Sequence, residues 1–127
     1  MKKIILSLII LLITSCIDFT NNDVPITNFY VKNTSNKTIS FSATVLKYSQ
    51  LTDPYTVTET FDVYPNDSVL ARVVGYTKDG TDPQSWFKSF DITPVNGIEI
   101  NDPNLAENWV KYNVNNTPTY VFKLNKN

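Results

Sequence analysis

Apolar and polar residues alternate along most of the chain after residue 25, with the period of two that is typical of half-buried β-strands. In the clearest stretch, Ser and Thr separate four apolar residues: Ile39, Phe41, Ala43 and Val45. The same pattern predicts seven strands, over residues 26–32, 38–45, 57–63, 67–76, 85–93, 98–100 and 119–124. Residues 67–76 carry apolar side chains on both faces, which predicts burial of that strand on both sides.

Short polar segments with turn residues separate these strands. Pro65 stands at the second position of a four-residue turn, where its fixed φ is favourable. Asn96-Gly97 is the strongest hairpin signal, because a type I′ turn needs positive φ at both central residues. Seven short strands joined by such turns predict an all-β fold, an antiparallel two-sheet sandwich of the immunoglobulin-like kind. The cysteine pair of immunoglobulin domains is absent, so this prediction rests on strand count and spacing.

One segment departs from the strand period. Asp102 is a suitable N-cap, and Pro103 suits the first helical position. Leu105, Trp109 and Tyr112 follow at i, i+4 and i+7, which gives one apolar stripe on a helix. We therefore expect a short helix near residues 103–110 that closes one end of the sheets. The alternative is an ordinary loop with a buried Trp109.

The first 15 residues have the three-part pattern of a secretory signal peptide. Lys2 and Lys3 give a positive start, residues 4–13 are apolar except for Ser7, and two small polar residues follow. The apolar run is about half of the ~20 residues that a helix needs to span a bilayer. A permanent membrane-spanning helix is therefore disfavoured, and export is expected.

The leader ends in Ile13-Thr14-Ser15-Cys16, which resembles the lipobox of bacterial lipoproteins. The resemblance implies a diacylglyceryl group on the thiol of Cys16 and cleavage just before this residue. The expected organisation is a signal peptide at 1–15, a lipidated N-terminus and short tether at 16–25, and a single β-sandwich domain at 26–127. The implied location is the cell membrane or the outer membrane, with the outer membrane favoured, and the lipid makes the membrane a partner.

Composition removes several classes of function. The chain has no histidine, and Cys16 is its only cysteine. Ser-His-Asp and Cys-His catalysis, most zinc and copper sites, and an internal disulfide are thereby excluded. Without Lys2 and Lys3 the mature chain has 9 basic and 12 acidic residues, a net charge of −3. A nucleic-acid partner held through phosphate contacts is therefore not expected, and neither is a metal or cofactor.

Carboxylates are the remaining catalytic candidates. Two pairs could be imagined as the acid and base of a glycosidase: Glu59 with Asp62, and Glu99 with Asp102. Asp79 and Asp82 flank Gly80 in a loop of the kind that can bind calcium. A mature chain with 12 acidic residues offers such pairs by chance, and the loop lacks the further carboxylates of a calcium site. We therefore interpret these groups as solvated and expect no enzyme activity.

Aromatic residues are the better candidates for a functional surface, because exposed ones mark binding sites. Trp86 and Phe87 are neighbours on one predicted strand, so only one of them can face the core. Trp86, Trp109 and Tyr112 form the candidate binding surface. The leading hypothesis is a non-enzymatic accessory lipoprotein that binds another envelope protein or a glycan. The alternative is a periplasmic immunity or inhibitor lipoprotein that neutralises a toxin or hydrolase.

Overall fold

Two β-sheets pack face to face in the computed structural model, which describes residues 26–75 and 82–127. The strands are β1 (Ile26–Lys32), β2 (Ile39–Lys47), β3 (Tyr55–Val63), β4 (Ser68–Gly75), β5 (Ser89–Ile92), β6 (Trp109–Val114) and β7 (Thr117–Lys123). The four-stranded sheet has the order β4-β1-β7-β6, and the three-stranded sheet has the order β3-β2-β5. The predicted all-β, two-sheet sandwich of seven strands is confirmed.

The alternation in the sequence decides which side chains are buried. On β2, Ile39 and Phe41 are fully buried, whereas Ser40 and Ser42 face outward and are half-exposed. The inner faces of both sheets supply the core, which comprises Phe29, Val31, Ile39, Phe41, Ala43, Val45, Val63, Val74, Phe87, Phe90, Trp109, Phe122 and Leu124. The apolar residues of the alternating pattern therefore lie on the inner face of each sheet, and most of the polar residues lie on the outer face.

Aromatic rings join the two sheets at the centre of the core. Phe90 on β5 stacks on Phe41 of the same sheet, with ring centroids 4.7 Å apart. From the other sheet, Trp109 and Phe122 approach Phe90 edge-on at 5.9 and 5.5 Å. Such edge-to-face pairs are favoured by the ring quadrupoles and add to the gain from burial.

The sandwich is not wholly antiparallel, which corrects the prediction. β1 runs antiparallel to β4 but parallel to β7, with Asn28 opposite Thr119 and Lys32 opposite Lys123. The alternation of apolar residues is the same for either strand direction, so it could not distinguish them. The order of strands is also different from that of immunoglobulin constant domains, whose second and third strands lie in different sheets. Here β2 and β3 pair in one sheet.

Two predicted strands are shorter in the structure or missing from it. Residues 85–93 divide into the end of a 3₁₀ turn, Pro83–Trp86, and the four-residue strand β5. β5 ends at Ile92; the Thr93 N–H still donates to the Ser40 carbonyl at 2.9 Å, and Pro94 then has no N–H to continue the ladder. Residues 98–100 form no strand, since only Ile100 makes an isolated bridge, to Asn125. Tyr76, the last residue of the predicted strand 67–76, lies outside the described residues.

The predicted helix near residues 103–110 is wrong. Residues Ala106–Asn108 form a single 3₁₀ turn, and Trp109 begins strand β6. The loop is closed by side-chain bonds to its own backbone, since Asn108 donates to the Asp102 carbonyl at 2.8 Å and the Trp109 indole donates to the Pro103 carbonyl at 2.9 Å. Burial of the Trp109 ring between the sheets outweighs the weak local preference of the stripe for a helix.

The hairpin turn that the sequence signalled most strongly is also misplaced. Gly97 has a positive φ of 79°, but Asn96 is not among the residues with positive φ. The turn is closed by a hydrogen bond from the Ile98 N–H to the Val95 carbonyl at 3.1 Å. It does not connect two paired strands. Positive φ at two successive residues occurs instead at Asn115 and Asn116, with values of 50° and 62°. These two residues connect β6 to β7 as a type I′ hairpin.

Asn33 fastens the start of the β1–β2 connection to the end of β3. Its side chain is fully buried, and its Nδ2 donates to the carbonyls of Lys37 and Val63 at 2.7 and 2.8 Å. Its Oδ1 accepts bonds from the backbone N–H and the hydroxyl of Ser35 at 2.9 and 2.7 Å. Because each of these buried polar atoms has a hydrogen-bond partner, the bonds compensate the cost of burying the amide, and Asn33 stabilises this end of the sandwich.

Candidate functional site

A cleft of about 750 Å³ opens where β4, an edge strand of the four-stranded sheet, faces the ends of β2 and β3. Its walls combine two cationic residues, Lys47 and Arg72, with aromatic and aliphatic groups that include Val45, Leu46, Tyr48, Tyr55 and Trp86. The sheets leave this gap because their edges are not bonded to each other. Three other cavities lined by described residues are smaller, with volumes of about 390, 250 and 320 Å³.

A β-bulge directs Arg72 into this cleft. Along β4, Leu70 pairs with Tyr30 and Arg72 pairs with Phe29, so Ala71 is an extra residue without a partner on β1. In a regular strand Leu70 and Arg72 would share one face. The extra residue changes the alternation, so Leu70 stays on the outer face while Arg72 turns to the inner side with Phe29. Bulges commonly re-aim side chains in this way next to functional sites.

The guanidinium of Arg72 is held by the cleft walls. Its Nη2 donates to the Leu46 carbonyl at 3.2 Å, and its central carbon lies 5.8 and 5.9 Å from the ring centres of Trp86 and Phe87. Burial lowers the pKa of Arg72 from its ordinary value, and the nearby Tyr48 acts in the opposite direction. An arginine remains protonated under such conditions. The cleft therefore carries a fixed positive charge that is partly removed from water.

Arg72 has no carboxylate partner among residues 26–75 and 82–127, where the ion pair formed is that of Lys126 with Glu99. A guanidinium has five N–H donors, and the bond to Leu46 uses one of them. The nitrogens of Arg72 are not among the buried polar atoms that lack a partner, so the other donors face the open part of the cleft. A half-buried cation with free donors is an arrangement suited to binding a planar anion.

The three aromatic residues singled out in the sequence do not form one surface. Trp86 is half-buried and lines the cleft beside Arg72, while its neighbour Phe87 is buried in the core. Tyr112 is 52% exposed on β6, an edge strand at the far side of the same sheet from β4. Trp109 is only 5% exposed and packs on Phe87 and Phe122. Trp109 is thus a core residue, and its ring is not available to a partner.

The carboxylates considered for catalysis are exposed, and three of them have structural partners. Asp62 accepts a bond from Ser40, Asp102 accepts a bond from the backbone N–H of Asn104, and Glu99 pairs with Lys126 at 2.7 Å. Glu59 is exposed on the edge strand β3. Asp79 lies outside the described residues. Among the carboxylates whose position the structure describes, none lines the Arg72 cleft.

Arg72, Tyr48 and Tyr55 are not among the candidate site residues that the sequence pattern indicated. A signal for Arg72 was present, because it is the single arginine of the chain and interrupts an apolar stretch, residues 69–74. A charge at the centre of an apolar strand requires either a partner or a function. The tyrosines carry no comparable signal, since residues at strand ends are exposed in most sandwiches. Cys16, the predicted lipidation site, lies outside the described residues.

Comparisons of the chain with protein-family models, with curated proteins and with solved structures give no match. Across the two described segments, no helix has the length and apolar character required to cross a membrane. In the same segments, no cluster of three or more Asp, Glu, Cys or His side chains is placed to bind a metal ion.

Proposed function

We propose that the protein is a lipid-anchored, non-enzymatic binding module of the bacterial cell envelope. Its cleft binds an anionic group of another envelope protein or of a glycan. The observation that carries this proposal is the half-buried guanidinium of Arg72, which lies in an aromatic-walled cleft and has no carboxylate partner among the described residues. Partial burial of a cation costs free energy, and binding of an anionic ligand would offset this cost.

The anchor is supported by the N-terminal sequence. Ile13-Thr14-Ser15-Cys16 resembles a lipobox, and acylation of Cys16 would hold the domain at the cell membrane or, as we favour, the outer membrane. A single acyl chain binds a bilayer reversibly, whereas more than one makes attachment effectively permanent. A permanently attached module of this size acts on partners that come to the membrane surface.

The chemistry of the cleft narrows the ligand class. A guanidinium binds carboxylate, sulfate or phosphate through two parallel N–H bonds when the geometry permits. Trp86, Tyr48 and Tyr55 supply flat apolar surface with polar edges, which suits either a sugar ring or an aliphatic side chain next to the anion. An acidic glycan and an acidic protein segment both satisfy these requirements.

A cross-linking experiment tests the proposal on the acylated protein in its own envelope. A benzophenone amino acid replaces Tyr55 in the cleft wall or, as the control, Thr58 farther along β3 on the outer face. Adducts specific to position 55 are expected, and Arg72→Gln should lower their yield roughly tenfold, the effect of losing a charged hydrogen bond. Lys111→Gln is the matched control, because Lys111 also lies over an aromatic ring, 5.8 Å from Tyr120, but outside the cleft.

Two outcomes would contradict the cleft as a binding site. One is the same set of adducts from positions 55 and 58. The other is a yield at position 55 that Arg72→Gln leaves unchanged.

The alternative is an immunity or inhibitor protein, and one observation favours it. The loop between β2 and β3 carries Leu51 with 94% of its surface exposed, next to Tyr48 with 78%. An apolar loop tip of this kind can fill the cleft of a toxin or hydrolase. A toxin or hydrolase gene beside this one would support the alternative. Co-expression of that enzyme with the wild type and with Leu51→Asp would then show whether the loop neutralises it.

A further inference from the structure

The two outer faces of the sandwich differ in chemistry. On the three-stranded sheet, hydroxyl groups of β2 and β3 bond to each other across the strands. Ser42 meets Thr60 at 3.0 Å and Thr44 meets Thr58 at 2.7 Å. These groups satisfy each other and are open to water. This face has the polar character that is normal for the solvent side of a sandwich.

The outer face of the four-stranded sheet instead carries a group of exposed apolar side chains among polar ones such as Asn28, Ser68 and Thr119. We use the term outer apolar face for six residues that are 40% to 52% exposed: Ile26, Leu70, Val73, Val110, Tyr112 and Val114. They are six of the eleven large hydrophobic side chains that are exposed in the described chain. An exposed apolar surface of this extent marks an interaction site.

The strand register places these residues on one side of the sheet. Leu70 pairs with Tyr30 and Val110 with Val121, at outward positions, whereas their neighbours Val69 and Trp109 point inward. The members of the face thus lie on the edge strands β4 and β6 and at the start of β1, and the outward residues Asn28, Tyr30, Thr119 and Val121 of β1 and β7 lie between them. Alternation alone would have separated the members on β4, and the bulge at Ala71 brings them to the same side.

The charges on this face have one sign. At the outward positions of these four strands, all of which are described, the charged residues are Lys32 and Lys123. They are direct neighbours across the parallel pair of β1 and β7, and like charges in that relation are unfavourable. Both line a groove of about 250 Å³ that also contains Val110 and Tyr112. An anionic surface would relieve the repulsion between them.

The position of the anchor indicates which surface that is. β1 is an inner strand of this sheet, and its first residue, Ile26, belongs to the outer apolar face. Nine residues separate Ile26 from Cys16, and they reach at most about 30 Å when fully extended. A lipid on Cys16 would thus keep this face within a short distance of the headgroups.

We propose that the outer apolar face lies against the anionic lipid surface of the membrane that holds the anchor. This inference rests on the proposed lipidation of Cys16. Aliphatic and tyrosine side chains with neighbouring lysines and no acidic residue are the composition that binds at a lipid interface. Arg72 points to the other side of β4, whereas Leu70 and Val73 of the outer apolar face also line its cleft, so the cleft lies at the rim of the membrane-facing surface. The hydroxyl-rich face then points away from the bilayer.

Depth-dependent fluorescence quenching tests this orientation with the acylated protein. Cys16 is the only native cysteine, and in the acylated protein its sulfur is a thioether, so one engineered cysteine takes one bimane label. Val110→Cys reports on the outer apolar face, and Thr58→Cys on the opposite sheet is the matched control. The vesicles contain phosphatidylcholine with brominated chains, with or without phosphatidylglycerol.

We expect quenching at position 110 to be at least about threefold stronger than at position 58, since a bound face enters the headgroup region by several ångström. A label at Val73, on the opposite edge strand, should behave like the label at 110. The double variant Lys32→Gln/Lys123→Gln should reduce the quenching at 110 in vesicles with phosphatidylglycerol and leave it unchanged in pure phosphatidylcholine.

Equal quenching at positions 110 and 58, with acylation verified by mass, would overturn the orientation and leave the anchor intact. A disulfide that joins two copies of the unlabelled Val110→Cys variant, with no quenching of the label at that position, would assign the face to a second copy and also overturn it. A protein whose mass lacks the diacylglyceryl group and which does not sediment with vesicles would overturn both the anchor and the orientation.

Discussion

The guanidinium carbon of Arg72 lies 5.8 Å from the centre of the Trp86 ring, and this pair joins two parts of the chain that the sandwich brings to one cleft. Trp86 ends a 3₁₀ turn before β5, and Arg72 reaches it because of the bulge at Ala71. The cation is oriented by the ring and by the Leu46 carbonyl. Mutations of the cleft residue Arg72 and of the core residue Trp109 can therefore distinguish effects on ligand binding from effects on stability.

Replacement of Arg72 should affect ligand binding more than folding. A partly exposed cation–π contact and one hydrogen bond are together worth about 1 to 2 kcal/mol, and relief of the burial cost offsets part of this loss. Arg72→Met should therefore change the free energy of unfolding by less than about 1 kcal/mol, measured by urea denaturation, while abolishing cross-linking from position 55. A loss of stability above about 3 kcal/mol would assign Arg72 a structural role instead.

Trp109 should behave in the opposite way. Its ring is buried against Phe29, Phe87, Phe90 and Phe122, so Trp109→Ala should lower the free energy of unfolding by about 3 to 5 kcal/mol. Trp109→Phe keeps most of the volume but loses the bond to the Pro103 carbonyl, and a loss of about 1 to 2 kcal/mol is expected. Urea denaturation measures both, and cross-linking by folded Trp109→Phe should match that of the wild type.

Asn33 should be the most sensitive polar residue. Asn33→Ala leaves the Val63 carbonyl without its buried donor and removes one of the two donors to the Lys37 carbonyl, and the expected loss is about 2 to 4 kcal/mol. Asn33→Asp preserves the shape but sets a carboxylate against those carbonyls, so it should be at least as destabilising. Asn36→Ala, at an exposed position of the same loop, is the control, and its effect should stay within about 0.5 kcal/mol. Equal effects at 33 and 36 would refute the role of the buried amide.

Glycine at position 116 in the turn between β6 and β7 should stabilise the fold. Asn116 has φ of 62°, and glycine takes this conformation at lower cost, so Asn116→Gly should raise the free energy of unfolding by a few tenths to about 1 kcal/mol. Asn116→Val should lower it by about 1 kcal/mol or more, because a β-branched residue resists positive φ. Asn96→Gly is the control, since Asn96 is not among the residues with positive φ. An equal rise in the free energy of unfolding for Asn96→Gly would show that positive φ is not the reason for the effect at position 116.

Replacement of Cys16 by serine tests the proposed lipid anchor. Cys16→Ser has no thiol to accept the diacylglyceryl group, so the chain should accumulate as unprocessed precursor or leave the membrane fraction. Fractionation with mass spectrometry measures this, and circular dichroism of the purified variant should show an unchanged β spectrum. A Cys16→Ser protein that stays processed and membrane-bound would exclude the lipidation proposal.

Several of these sites could not be found from the chain alone, for reasons that differ. Trp109 falls at helical spacing from Leu105, and this local pattern was misleading because the ring is buried by strands far away in sequence. Asn96-Gly97 carries a stronger local turn preference than Asn115-Asn116, yet only the latter lies between two strands that pair. The single arginine was visible in the sequence, but its direction depends on a register shift between β1 and β4.

The sequence by itself determined the all-β, two-sheet class of the fold, the inner faces of most strands and the resemblance of residues 13–16 to a lipobox. These are local properties, because a period of two and a short linear motif are complete within a few residues. The tertiary structure alone decided the parallel pairing of β1 with β7, the burial of Trp109, the cleft around Arg72 and the grouping of six exposed apolar side chains on one outer face. Each of these depends on which distant strands meet and in which register, and an alternating pattern fits many such pairings equally well.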